Sequence, residues 1–153
     1  PIGLSAVEFA KLSGARVIVM DRVAARLDFV RSRMGIADTV LVAGGDCEVE
    51  AVRALTGGRL CEVVVDATGS AASMGQALGF CAFGGRLVYV GITQAEVTFP
   101  NAPVMHRREL TLLARASAAG VYFQVMLGRA KPETMGYADD ALFNRRDAHL
   151  QKG

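Results

Sequence analysis

The feature that most constrains the fold is the spacing between a glycine near the start of the chain and an acid that ends an apolar run. Gly3 lies within Pro1-Ile2-Gly3-Leu4, and Asp21 directly follows the run from Arg16 to Met20. In a dinucleotide-binding unit, the last glycine of G-x-G-x-x-G lets a helix pack against a strand, and the helix N-terminus receives a pyrophosphate. An acid about 20 residues later binds the ribose hydroxyls. Gly3 and Asp21 fit these two positions.

The first half of such a unit would lie before Pro1. We therefore expect the chain to be part of a longer protein, with the two earlier glycines and the first strand of the unit absent from it. In the usual strand order 3-2-1-4-5-6 that strand is central. The strands predicted at 16–20 and 62–66 would then flank an empty position in the sheet.

Apolar runs and helical periodicities alternate along the chain. Runs rich in Val, Ile and Leu, bounded by glycines, are typical of buried parallel strands. We predict strands over 16–20, 39–42, 62–66, 86–90 and 109–113, with a short extended piece over 96–99. Helical patterns precede or separate them, over 4–13, 23–34, around 49–55 and after Ser70, where Met74, Leu78 and Cys81 share one stripe. A Gly84-Gly85 turn is predicted directly before the strand over 86–90. This alternation predicts an α/β fold with an incomplete, doubly wound parallel sheet of the Rossmann type.

The pattern changes after Ala114. No sustained period is present beyond Gly128, so we predict a dinucleotide-binding domain over 1–114 and a loosely ordered, irregular tail over 115–153.

Composition excludes several classes of partner. A net charge of +2 gives no argument for nucleic acid, and no apolar run reaches membrane-spanning length. Cys47, Cys61 and Cys81 form no C-x-x-C pair, and each His stands alone, so the spacing of a zinc site is absent. We expect buried thiols at Cys61 and Cys81, and a reducing, cytoplasmic location.

Five short motifs occur in order along the chain: 1–4 (Pro-Ile-Gly-Leu), 19–22 (Val-Met-Asp-Arg), 65–69 (Val-Asp-Ala-Thr-Gly), 84–91 (Gly-Gly-Arg-Leu-Val-Tyr-Val-Gly) and 107–110 (Arg-Arg-Glu-Leu). Together they resemble the nucleotide-binding domain of zinc-type medium-chain alcohol and polyol dehydrogenases, over about residues 1–114. The resemblance implies reversible hydride transfer between an alcohol and a ketone or aldehyde, with NAD as cofactor. It also implies a catalytic zinc, whose ligands in this family come from a domain that this sequence does not contain.

By this resemblance the start of the first helix binds the pyrophosphate. Pro1, Ile2 and Gly3 would form this start, where Ile2 and Gly3 contribute backbone N–H groups and the aliphatic side chain of Ile2 packs near the nicotinamide. A plain helix start is the alternative interpretation.

Asp21 would accept both hydroxyls of the adenosine ribose. Its charge repels a 2′-phosphate and favours NAD over NADP, although Arg22 beside it is a residue type that accommodates that phosphate. Arg26 would reach the same ribose, or lie on a solvated helix face with Arg22. The alternative for Asp21 is a turn residue after a strand.

The ends of two later strands complete the predicted site. Thr68 and Gly69 follow one strand at its carboxyl end, where ligands bind in sheets of this kind, and Gly69 would permit close approach of the adenosine half. Val90, Gly91 and Ile92 end the next strand, and the resemblance brings their backbone to the nicotinamide carboxamide. A tight turn and a strand terminus are the alternatives.

Two further polar residues have structural interpretations. Asp66 ends a buried strand without a partner in the sequence pattern, which favours a capping or turn role over that of a catalytic acid. His106, beside Arg107 and Arg108, suggests a phosphate site, but a solvated connector fits the pattern better.

Two other classes of function remain open on the sequence. An S-adenosylmethionine-dependent methyltransferase also uses an acid after its second strand and often a strand like 84–88. A non-enzymatic fragment is the third possibility, or a subunit that forms a homodimer through the edge strand Leu110–Leu113. We name no catalytic and no metal-binding residue, and we do not expect this chain alone to turn over an alcohol.

Overall fold

The computed structural model of the protein describes residues 2–44 and 47–114. Pro1 and the tail predicted over 115–153 lie outside the described residues. The described residues contain four α-helices: α1 Ile2–Leu12, α2 Ala24–Met34, α3 Cys47–Leu55 and α4 Ala71–Gln76. Five strands alternate with them: β1 Val19–Asp21, β2 Thr39–Leu41, β3 Cys61–Asp66, β4 Cys81–Tyr89 and β5 Thr111–Ala114.

Local sequence signals set several of these boundaries. Gly35 ends α2 in the left-handed conformation (φ 68°), and its N–H donates to the carbonyl of Val30. Ser70 caps α4, where its hydroxyl accepts from the backbone N–H of Ser73. Both boundaries agree with the predicted ones.

The strands form two parallel sheets, with the orders β1-β2 and β3-β4-β5. This confirms the predicted α/β class, a partial parallel sheet with helices around it. Among the described residues no ladder joins β1 to β3, so the two strands predicted to flank an empty position do belong to different sheets.

Helix α1 packs against both sheets. Its residues Ala6, Phe9 and Ala10 lie against Val88 and Val90 of the three-stranded sheet. On its other side α1 contributes the buried Val7 to a cluster with α2 and β1, which also holds Val30, Met34 and Ile36. Helix α3 makes a second bridge through Val52, which packs among residues of β2, β3 and the start of β4.

The three-stranded sheet is buried on both faces. Its register places Val64, Leu87 and Leu112 in one row, and Val65, Val88 and Leu113 in the next. The first row packs with Met74 and Leu78 of the α4 side, and the second packs against α1. Burial on both sides explains why these strands read as continuous apolar runs rather than alternating ones.

The piece predicted as extended over 96–99 leads into a π-helical turn over Asn101–His106, where Pro103 lacks an amide hydrogen for regular helix bonding. Two predictions need correction. The last strand starts at Thr111 because Glu109 has a positive φ of 55°. Helix α4 ends at Gln76 and continues as a 3₁₀ turn over Ala77–Phe80.

The start of β4 also differs from the prediction. Cys81, predicted on the stripe of the preceding helix, is the first residue of β4, although it remains in the same cluster as Met74 and Leu78. The predicted Gly84-Gly85 turn lies inside β4, where the register with β3 shifts. Gly84 has a φ of 67°, which glycine adopts without strain. Of the helices that the structure describes, none has the length and apolar character needed to cross a membrane.

Candidate cofactor site

The start of α1 lies beside the carboxyl end of β3. A Cβ built on Gly3 would be 3.8 Å from the Cβ of Ala67, which is ordinary van der Waals contact. Ile2 and Gly3 are exposed residues of the first helical turn. Their backbone N–H groups have no intrahelical acceptor, because the first four amides of a helix never do. The first turn of α1 therefore presents amide donors next to the loop that follows β3.

The loops after β3 and β4 touch through backbone atoms. Gly69 has a φ of 68°, and a Cβ built on it would lie 2.9 Å from the carbonyl oxygen of Ile92. A Cβ built on Gly91 would overlap the amide nitrogen of Gly69. Only glycine at both positions permits this approach, so the two loops form one surface at the carboxyl ends of β3 and β4.

Asp66 holds both loops in place. Its Oδ1 accepts from the Thr68 amide at 2.9 Å and the Thr68 hydroxyl at 2.7 Å, while Oδ2 accepts from the Ser73 hydroxyl at 2.7 Å. Its carbonyl oxygen accepts from the amides of Val90 at 2.9 Å and Gly91 at 3.1 Å. Asp66 is 6% exposed and has the turn role that we expected of it. The Thr68 hydroxyl is used inside this network.

Asp21 lies at the carboxyl end of β1. Its Oδ1 accepts from the backbone amide of Val23 at 2.9 Å, which is the turn role considered from the sequence. Its Oδ2 pairs with Nη1 of Arg26 at 3.4 Å. The Arg26 side chain is 71% exposed, and exposed pairs of this kind contribute little stability. The Asp21 carboxylate can therefore exchange Arg26 for another hydrogen-bond donor. Arg22, the next residue in the chain, is exposed.

The predicted residues thus fall into two groups. The first contains Ile2 and Gly3 with the loops 68–69 and 90–92, at α1 and the three-stranded sheet. The second contains Asp21, Arg22 and Arg26, at the end of the two-stranded sheet. Helix α1 links them, because it begins in the first group and packs against β1 near the second. We call these residues the cofactor edge. It offers amide donors, a carboxylate and, at Ile92, an apolar side chain that is 76% exposed.

Sequence reasoning missed Glu48. This residue of the first turn of α3 is 4% exposed, and its Oε1 accepts from the amides of Ala43 at 3.0 Å and Gly44 at 2.7 Å. The Gly44 amide, aided by other backbone donors and the Cys47 thiol, lowers the pKa of Glu48 against the opposing effect of desolvation. An acid in the first turn of a helix was the available signal. Glu48 anchors the loop that follows β2.

In the basic run before β5, Arg108 has a structural role. His106 is exposed at the end of the π-helical turn, and Arg108 donates to the carbonyls of Gly79 at 3.2 Å and Cys81 at 3.0 Å. Burial raises the pKa of the Cys81 thiol to about 12, so it stays protonated at neutral pH. Tyr89 is buried nearby, donates to the Met74 carbonyl, and has its pKa raised by burial and by the Asp66 charge.

A metal site does not form among the described residues. Within 2–44 and 47–114, no three His, Cys, Asp or Glu side chains lie together in a way that would hold an ion. These residues do not fit the ligand set of a catalytic zinc, which needs three protein ligands. We derive no chemical step through zinc.

A cavity of about 390 Å³ lies away from the cofactor edge, where α1 and α2 end. Arg16 and Asp38 form an ion pair of 2.8 Å within it. None of the predicted cofactor residues lines it; its lining consists of Lys11, Gly14, Ala15, Arg16, Val17, Gly35, Ile36, Ala37 and Asp38.

Comparison with known proteins decides the family. The sequence matches the zinc-binding dehydrogenase family over residues 1–129. The chain belongs to this family. The methyltransferase alternative is therefore not supported. The match also continues past Ala114, where the resemblance found from the residues alone stopped.

Individual relatives give the extent of the similarity. The L-galactonate-5-dehydrogenase of Escherichia coli is 33% identical over 145 residues, which are 95% of this chain and 42% of that protein. An alcohol dehydrogenase from Aeropyrum pernix (26% identity, TM-score 0.68) aligns with 82% of this chain and 36% of its own. A structure described as an NAD-dependent alcohol dehydrogenase (31% identity, TM-score 0.63) aligns with 82% of this chain, and the aligned part is 37% of that structure's chain. The chain spans less than half of each of these relatives.

The environment of Glu48 predicts a pH-dependent stability. Its folded-state pKa lies below the ordinary value of 4.5, so its stabilising effect is present above that pH and is lost as the pH falls through the folded-state pKa. We expect Glu48→Gln to lower the free energy of unfolding at pH 7, and the difference from the unaltered chain to shrink by pH 3. Urea unfolding of both chains at pH 7 and pH 3 measures this difference in the free energy of unfolding.

Glu50→Gln is the matched control for this experiment. Glu50 lies on the same helix with a side chain that is 74% exposed, so the change at pH 7 should stay within about 0.5 kcal/mol. An equal effect of Glu48→Gln at pH 7 and pH 3 would contradict the assigned role.

Proposed function

We propose that the chain is the NAD-binding part of a zinc-dependent alcohol or polyol dehydrogenase. The observation that carries the proposal is the cofactor edge, where a helix N-terminus, two glycine-tightened loops and a carboxylate lie at the carboxyl ends of parallel strands. Ligands bind in this location in open α/β sheets. Family membership supports the same function, as does the similarity to a protein described as an NAD-dependent alcohol dehydrogenase.

The chain's own residues would bind the two ends of the cofactor differently. The amides of Ile2 and Gly3 would donate to the pyrophosphate, which the positive end of the α1 dipole also attracts. Asp21 would exchange Arg26 for the two hydroxyls of the adenosine ribose. A 2′-phosphate would meet the Asp21 charge, so we propose NAD in preference to NADP. Arg22, beside Asp21, would offset part of this repulsion.

The loops after β3 and β4 would hold the remaining parts. Gly69 leaves space for the adenosine half beside Thr68, because no side chain projects from it. Val90, Gly91 and Ile92 would present their backbone to the nicotinamide carboxamide, and Asp66 would keep that backbone fixed. The exposed Ile92 side chain would then cover apolar ring surface and exclude water.

When bound, NAD would supply reversible hydride transfer between an alcohol carbon and the nicotinamide ring. We assign to this chain the positioning of that ring and no proton transfer. We assign no described residue to the binding of the substrate alcohol or to the polarisation of its oxygen. Sugar alcohols, sugar acids and simple alcohols all fit the proposal. The three cysteines are free, which supports a reducing, cytoplasmic location.

Binding of NADH tests the proposal directly. We expect saturable enhancement of NADH fluorescence with the unaltered chain, and a Kd about ten- to hundredfold higher in Asp21→Ala, because a hydrogen bond to a charged group contributes about 1.5–3 kcal/mol. The control is Asp28→Ala. Asp28 also pairs with an arginine, Arg31, at 3.1 Å on α2, but its side chain is 73% exposed and lies outside the cofactor edge.

An equal loss of affinity in both variants would remove Asp21 from the site. Absence of NADH binding in a chain shown by circular dichroism to be folded would overturn the proposed function. Tighter binding of NADPH than of NADH would overturn the cofactor preference alone.

We also propose a homodimer through the outer edge of β5, within Leu110–Leu113. Among residues 2–44 and 47–114, strand β5 ends the order β3-β4-β5 and no described strand pairs with its other edge, which a second copy could then use. Light scattering after size exclusion should give twice the monomer mass. Thr111 is an exposed residue of this strand, and a Thr111→Lys chain should shift towards monomer, because charged side chains on an edge strand oppose its pairing. A purely monomeric unaltered chain at high concentration would contradict the dimer.

A further inference from the structure

The segment that follows β4 crosses over α4. It leaves the strand at Val90, and its later residues Val97 and Phe99 pack against the cluster that contains Met74 and Leu78. We call residues 91–99 the strap. Residues 94–96 of the strap are exposed, so its course depends on what holds its two ends.

The first end of the strap is held at the cofactor edge. The amides of Val90 and Gly91 donate to the carbonyl of Asp66, and the backbone of Gly91 packs directly on that of Gly69. The Ile92 carbonyl oxygen lies against Gly69 as well.

The second end is held on α4, outside every predicted site residue. A Cβ built on Gly75 would overlap the carbonyl oxygen of Thr98, and would lie 3.6 Å from the carbonyl carbon of the same residue. Both partners are backbone, so no rotation of a side chain relieves the overlap. Gly75 is within α4, where glycine is less favourable than alanine. A glycine at such a position has a packing reason, and here it is the approach of the strap.

Building on the proposed NAD site, we propose that Gly75 and Thr98 are positioning residues for its nicotinamide half. Only residues 92–97 separate the anchor at Thr98 from the anchor at Gly91. A strap pushed away from α4 therefore pulls on Ile92 and on the backbone that meets the nicotinamide. The start of α1 and Asp21 lie on other elements, and the turn at Thr68 is held by Asp66, so we expect the adenosine half of the site to change much less than the nicotinamide half.

The test compares NADH with ADP-ribose, which lacks the nicotinamide. In Gly75→Ala we expect the Kd for NADH to rise about tenfold, which is the change that the loss of about one hydrogen bond to the nicotinamide carboxamide would give. The Kd for ADP-ribose, measured by competition, should stay within about twofold of the unaltered value. The emission of bound NADH should also move towards that of free NADH.

Gly79→Ala is the matched control. A Cβ at Gly79 would lie 3.6 Å from Cγ2 of Val49, an ordinary contact, and we expect both Kd values to stay unchanged. Should Gly75→Ala not fold, Thr98→Gly loosens the same anchor without adding an atom, and the same split between NADH and ADP-ribose is expected.

Two results would overturn the inference while leaving the proposed function intact. One is an unchanged Kd for NADH in a folded Gly75→Ala chain, and the other is an equal loss of NADH and ADP-ribose. If the unaltered folded chain binds neither compound, the proposed function fails, and the positioning role fails with it.

Discussion

The packing of α1 between two sheets is the interaction on which the described structure most depends. Strands β1 and β3 share no ladder within residues 2–44 and 47–114, so hydrogen bonds do not join the sheets there. Apolar burial does: Phe9 packs on the three-stranded sheet and Val7 on the side of α2 and β1. Val7 is buried and Phe9 is partly buried, and full burial of a side chain of this size stabilises by about 1.5–3 kcal/mol. The same helix begins at the cofactor edge, so the contacts that join the sheets also position the proposed pyrophosphate donors.

The site itself depends on backbone contacts more than on functional side chains. Asp66 uses its carboxylate to fix one loop and its carbonyl to fix the other, and the contact between Gly69 and Gly91 closes the space between them. This arrangement leaves the outer surface of both loops available to a ligand. It also explains why the residues with chemical groups in this region, Asp66 and Thr68, point into the fold's own network.

Much of this architecture follows from local sequence signals. The strands were predictable as short apolar runs, which in the three-stranded sheet reflect burial on both faces. Gly35 and Ser70 mark helix ends by their own conformation and hydrogen bonding. The close approaches of glycines and the anchoring role of Glu48 were not predictable. Each depends on which backbone atoms meet across the fold, and neither spacing nor residue type carries that information. The π-helical turn over Asn101–His106 was also missed, although Pro103 within it is a local signal against regular helix bonding.

The most direct test of the account is to map the NADH-contacting amides in the ¹⁵N-labelled chain by NMR. We expect the largest chemical-shift changes at Gly3, Gly69 and Gly91, with smaller changes around Asp21. The cavity where α1 and α2 end provides an internal reference, and the amide of Gly14 there should not move. Changes that cluster at that cavity and spare the glycines of the cofactor edge would contradict the account.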